Sequence, residues 1–261
     1  MTTLALCVTE DNWPVALDAV AESDCIGGVV APVSLLMNSA PFYTGVTNMG
    51  LEIPHALRPM GGDAERYLFE NDPPRRNRIL SQWVRVLSPL GAMGVRSVAL
   101  DLGLDRIGDH DVDAAIALRI DTLKHILSCL EEPLTLTIRV RCPRDFPKSR
   151  AWERAAGIVH GVMDPACRLQ LDVFPAEVQR WSEWQEFERA FYLYAAVLAV
   201  HLDPLADGRL AESGALDLCA SLHRRGFRGL NAFCLDGDGA GAGAFQSLCA
   251  DVRQSFSQPT L

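Results

Sequence analysis

Residues 197–233 read VLAVHLDPLADGRLAESGALDLCASLHRRGFRGLNAF. A short apolar run, Val197 to Leu202, carries His201 near its end and is followed at once by Asp203. A polar loop comes next, then an amphipathic segment from Leu216 to Arg225, a Gly226-Phe227-Arg228-Gly229 turn and a second apolar run, Leu230 to Leu235. Strand, helix and strand in that order return the chain to the same end, so the two strands pair in parallel. His201 and Asp203 then stand at a carboxyl strand end, where closed α/β barrels carry their chemistry.

The same rhythm extends in both directions. Upstream, RLQLDVFP sets a strand over Leu169–Phe174 with Asp172 near its end, followed by a helix over Glu177–Tyr194. Further strands read over Leu4–Val8, Ile26–Val33, Leu51–Leu57, Ser97–Leu102 and Leu134–Val140. Helices read from Trp13 with Asn12 or Asp11 as cap, from Asp72-Pro73-Pro74, and over Asp111–Leu130, Ala151–Met163 and Ala244–Phe256. Eight strands, most separated by a helix, predict a single-domain (β/α)₈ barrel over residues 1–261. An open doubly wound sheet is the competing architecture, but no GxGxxG follows the first strand. Residues 34–73, rich in Asn, Ser, Gly and Pro, read as long loops over the barrel mouth around the third strand.

Composition narrows the function classes. The 261 residues are 49% hydrophobic and 22% charged, which suits one large folded domain. A net charge of -9 argues against a nucleic-acid backbone as partner, and Arg75-Arg76-Asn77-Arg78 is too short to reverse that. The eight cysteines show no CxxC spacing, so a zinc ribbon or thioredoxin-type motif is excluded, and most sit in apolar runs. With no signal-peptide pattern and no membrane-length apolar run, a cytoplasmic protein is expected.

Carboxyl strand ends list the candidate chemistry: Asp101 from strand four, Arg139, Arg141 and Cys142 from strand five, and Asp172 from strand six. His201 and Asp203 come from strand seven, with Asn231, Cys234, Asp236 and Asp238 from strand eight. Asp172 and His201 read either as catalytic or metal-holding groups or as a buried hydrogen-bond network closed by Arg139 or Arg141. His55, after Pro54, is expected at the surface or in packing. His110, His125, His160 and His223 fall on or beside helices, away from the mouth. The run 236–243, DGDGAGAG, could open an anion site at a helix N-terminus, but its aspartates oppose an anion and a flexible loop is expected. Trp181, Trp184, Phe187, Phe191 and Tyr192 share near-helical spacing that reads as core packing or a subunit contact.

Two pieces resemble the xylose isomerase-like TIM barrels, which include sugar isomerases, sugar epimerases and the endonuclease IV fold. RLQLDVFPAEV is similar to that family's apolar run ending in a metal-binding Asp, here Asp172. AVHLDPLADGR followed by GALD and GFRG is similar to its metal-binding His, here His201, with G-x-L-D and G-[YF]-x-G. The likeness is best over residues 96–235. It implies a divalent cation (Mn, Zn, Co or Mg) held by two glutamates, the Asp and the His, and proton transfer on a sugar carbon. Both glutamates are missing here: strand five offers Arg139 and Arg141, and the strand-eight position falls near Cys234. The second histidine of the family is Pro175.

The resemblance therefore implies a sugar or sugar-phosphate isomerase or epimerase-like protein with an incomplete metal site, with either a divalent metal or none. Asp172 and His201 would act on a substrate held by Arg139, Arg141, Asp101, Asp203 and Asn231. An arginine-based variant would clamp a carboxylate or phosphate of an anionic metabolite. The alternative is a non-catalytic barrel that binds a small metabolite or a protein partner.

Overall fold

The computed structural model describes residues 4–60, 68–69, 72–104, 107, 111–142, 150–174, 194–203, 214–224, 226–235 and 241–257. Eight strands run β1 (Leu4–Cys7), β2 (Gly28–Pro32), β3 (Glu52–Leu57), β4 (Ser97–Leu100), β5 (Thr135–Cys142), β6 (Cys167–Val173), β7 (Ala195–Leu202) and β8 (Leu230–Leu235). They close in sequence order, and β1 pairs with β8 in parallel to complete the barrel. Among the described residues the helices are α1 (Trp13–Ala21), α2 (Val33–Asn38), α3 (Ala40–Asn48), α4 (Pro73–Ala92), α5 (Val112–Cys129), α6 (Arg150–Val162), α7 (Gly214–Arg224) and α8 (Ala242–Ser257). None of the described helices is long and apolar enough to cross a membrane.

Period-two alternation divides each strand between two cores. Outward residues such as Leu6, Val29, Leu100, Ile138, Leu171 and Phe233 meet the helices in one continuous apolar layer. Trp83, Leu87 and Leu90 of α4 enter that layer from a face set by their three- and four-residue spacing. Asp72 caps α4 by accepting from the Arg75 N–H, and Pro73 and Pro74 occupy the first turn, where no amide partner is lost.

The inner core is lopsided. Ala5, Cys7, Val30, Val197, Ala199, Leu230, Ala232 and Cys234 make it apolar on the β7–β8–β1–β2 side. On the β3–β6 side the buried groups are polar: His55, Ser97, Thr137, Gln170 and Asp172. That asymmetry places the candidate chemistry against β3 to β6.

The expected mouth loops over 34–73 are corrected in part by α2 and α3. Ser39 accepts from the Phe42 N–H to start α3, and Val33, Leu35, Leu36, Phe42 and Val46 are buried. Ser39, Pro41 and Gly45 read as loop punctuation, yet the first two are helix-start residues here. The proposed helix 177–194, with its aromatic set, lies outside the described residues except for Tyr194. His110, Pro175, Asp236 and Asp238 also lie outside them.

Candidate functional site

β3 contributes the first buried group through an irregularity. Its pairing with β2 shifts between Gly28↔Glu52 and Val30↔His55, so Ile53 and Pro54 oppose Val29 alone. In a regular strand residues 53 and 55 would share a face. The bulge lets Ile53 pack outward while His55, with no exposed surface, turns into the barrel. The expectation of a surface or packing histidine is thereby corrected.

His55 begins a chain of hydrogen bonds across the interior. Its Nδ1 lies 2.7 Å from Ser97 Oγ and its Nε2 lies 2.6 Å from Gln170 Oε1. Gln170 Nε2 donates to Asp172 Oδ1 at 2.6 Å. Asp172 Oδ2 accepts from Arg139 Nε at 2.9 Å and also from Arg139 Nη2. Chemistry fixes the protons along this path. A carboxylate only accepts, so the Gln170 amide must present its N–H₂ to Asp172 and its oxygen to His55. His55 is then the Nε2–H tautomer, and its bare Nδ1 accepts from the Ser97 hydroxyl at 2.7 Å, in competition with the Pro54 carbonyl 3.2 Å from the same oxygen. Burial, above all, pushes the imidazole down to about 4, which keeps it neutral as this assignment requires.

Arg139 is half-buried and Asp172 buried. Burial works against the guanidinium charge, but the Asp172 carboxylate with its hydrogen bonds, and then Asp101, outweighs it and raises the Arg139 pKa. The ion pair is the second of the two readings anticipated for Asp172: its natural partner is the strand-five arginine. Asp101, exposed just past β4, accepts from the Gly103 N–H at 2.9 Å. The segment that carries it is tied down from outside, because Arg119 donates twice to Leu102 O and Arg154 donates to Leu104 O.

A second group lies nearer the rim. The His201 ring stacks on Phe174, with centroids 4.3 Å apart and planes 14° from parallel. The Arg141 guanidinium carbon is 4.3 Å from the same ring centroid. Arg141, Phe174 and His201 come from three adjacent strand ends, β5, β6 and β7, so a cation and an imidazole flank one aromatic face system. Arg141 is exposed and His201 half-buried. Asp203 is exposed one step beyond β7. Cys234 is in register with His201 across β7 and β8.

Asn231 does not join them. It is fully buried, and its neighbours in β8 settle its direction: Leu230, Ala232 and Cys234 face the barrel interior, while Phe233 and Leu235 face the helices. Alternation therefore sends Asn231 outward, correcting its expected place at the mouth. The Gly226–Gly229 motif is likewise a packing device. Gly226 adopts φ +108°, and a Cβ on Gly229 would lie 2.4 Å from Ala196 O and 2.3 Å from the Phe227 ring.

As a donor set for a divalent cation, these residues fit poorly. Both Asp172 oxygens already accept from Gln170 and Arg139, and the guanidinium sits where a cation would have to approach. Among the described residues no three His, Cys, Asp or Glu side chains converge for a metal ion. A hard cation needs several oxygen donors with net negative charge.

No protein-family model matches the chain, and no curated protein matches it in sequence. Solved structures do match in shape. An AP endonuclease, family 2, from Brucella melitensis superposes with a TM-score of 0.69 at 16% identity, covering 96% of this chain and 98% of that one. D-psicose 3-epimerase from Clostridium cellulolyticum H10, solved with D-tagatose, gives 0.65 at 12% identity over 97% and 98%. The IOLI protein, solved with a bound zinc atom, gives 0.65 at 15% identity over 97% and 99%. The chain shares the closed (β/α)₈ barrel fold of these structures.

Proposed function

We propose that this protein binds a small sugar or anionic sugar derivative at the carboxyl mouth of the barrel without a divalent metal, the Arg139 guanidinium taking the place of a resident cation. The observation that carries this reading is the buried Arg139–Asp172 pair, with the second carboxylate oxygen held by Gln170. Arg141 supplies an exposed cation for a carboxylate or phosphate, Phe174 an aromatic face for sugar C–H groups, and Asp101 and Asp203 hydroxyl acceptors. The sugar bound in the D-psicose 3-epimerase structure supports a polyhydroxylated ligand. As an isomerase or epimerase, the chain would use His201 to move the proton, because Asp172 has no free oxygen facing the ligand. The engagement of Asp172 also favours a second reading, a metabolite-binding barrel without turnover. A reducing cytoplasm suits the cysteines, which are free thiols among the described residues.

Thermal-shift titration with polyols, sugar acids and sugar phosphates, each with and without a chelator, tests this. Expected is stabilisation by an anionic sugar that survives the chelator and is lost in Arg141→Ala. Stabilisation that requires added Mn, Zn, Co or Mg and ignores Arg141→Ala would overturn the metal-free reading. No response to any of these ligands would overturn the small-molecule reading.

A further inference from the structure

The inner apolar core contains two thiols that neither the ion pair nor the rim stack uses. Cys7 closes β1 and Cys234 is the penultimate residue of β8. Ala5↔Ala232 and Leu6↔Phe233 set the register of these strands, which carries Cys7 opposite Cys234. Both side chains face the barrel interior, and the sulfurs are 2.6 Å apart, well inside van der Waals contact. Neighbouring strands lie about 4.8 Å apart, inside the Cα separation that a disulfide spans. Both lie on the mouth side of the barrel, and each keeps a small exposed fraction, 9% for Cys7 and 7% for Cys234.

We propose that Cys7 and Cys234 form a reversible redox pair, closed to a disulfide by a hydroperoxide entering through the barrel mouth. Cys234 donates its S–H toward the Cys7 sulfur, and Cys7, the acceptor, is assigned as the attacking sulfur. The Cys7 thiolate attacks the distal peroxide oxygen, the O–O bond breaks, and an alcohol (or water, from hydrogen peroxide) leaves with a proton. The resulting sulfenic acid at Cys7 is attacked by the Cys234 sulfur. The S–S bond forms, the S–O bond breaks, and water leaves with the Cys234 proton. Two thiols lose two electrons in all, and the peroxide gains them. The bond ties the first strand to the last across 227 residues of chain, at the seam that closes the barrel.

The other thiols supply internal controls. Cys129 is exposed, 3.8 Å from His125 Nε2, and Cys25 Sγ lies 3.8 Å from the Cys249 carbonyl oxygen. The reduced full chain is treated with hydrogen peroxide, quenched, denatured, alkylated and digested. Mass spectrometry is expected to find the Cys7 and Cys234 peptides linked, with thiols titratable in denaturant falling by at least two from the eight in the chain. Dithiothreitol should restore both. In Cys234→Ser, Cys7 should be trapped as a sulfenic acid by a dimedone-type reagent. The proposal is overturned if Cys7 and Cys234 stay singly alkylated after Cys129 has oxidised, or if the link in the native chain joins Cys25 to Cys249 instead.

Discussion

Arg139 reaches Asp172 diagonally across β5 and β6, whose register sets Arg141 opposite the aspartate, with Nε donating to Oδ2 at 2.9 Å and Nη2 closing on the same oxygen. Only a quarter of the arginine side chain and a twentieth of the aspartate side chain meet solvent. Removing one partner strands a charge. Arg139→Met should lower the unfolding free energy by about 3 kcal/mol, whereas Arg139→Met with Asp172→Leu should recover most of that loss. Urea denaturation of the four-member cycle reads the coupling, and strictly additive single costs would show that the pair is not an energetic unit.

His55 makes stability depend on pH in a definite direction. Its imidazole titrates near 4 in the folded chain against an ordinary 6.5, chiefly because it is buried. The unfolded chain therefore takes up a proton that the native chain refuses as pH falls below about 6.5. The corresponding stability is fully present above that pH, is lost progressively down to about 4, and amounts to about 3 kcal/mol. Unfolding curves of the wild type and His55→Leu between these limits should converge as pH drops, because the variant lacks the titrating group. Parallel curves would contradict a neutral buried His55.

Asn231 is a buried side chain in the apolar layer, with neither Oδ1 nor Nδ2 hydrogen-bonded among the described residues. Asn231→Leu, with the same branching of heavy atoms, removes two unsatisfied polar atoms and should be neutral or stabilising by about 1 kcal/mol. Ligand stabilisation should be unchanged. Loss of the ligand response with fold and stability intact would return Asn231 to the binding site.

Gly229 tests the close approach of β8 to β7. The Ala196 carbonyl and the Phe227 ring leave no room for a methyl, so Gly229→Ala should cost about 3 kcal/mol. An unchanged thermal midpoint would show that the turn into β8 shifts freely.

Much of this arrangement was legible before any coordinates. The strands are short apolar runs between helical periods, and β8 was bounded residue for residue because Gly229 precedes it and apolar residues fill it. The apolar runs that end near Asp172 and His201 put both at the carboxyl ends of adjacent strands. What stayed hidden depended on local exceptions. Two short helices, α2 and α3, span too few turns for periodicity to register, and their Ser and Pro residues double as loop formers. His55 is hard to place from sequence because Pro54 interrupts its strand, whereas a proline inside a strand also marks a bulge, and the bulge aims the next residue inward. Counting back by twos from Cys234 would have placed Asn231 outward. Which arginine pairs with Asp172 depends on side-chain reach, since Arg139 and Arg141 share a face two residues apart.

The most direct test of a cation built from protein is elemental. Protein purified without chelator, then equilibrated with Mn, Zn, Co and Mg and desalted, should carry well under one equivalent of any metal by inductively coupled plasma mass spectrometry. Asp172→Ala and His201→Ala should be no different. One equivalent of a divalent metal in the wild type, lost in both variants, would contradict the claim that Arg139 holds that place.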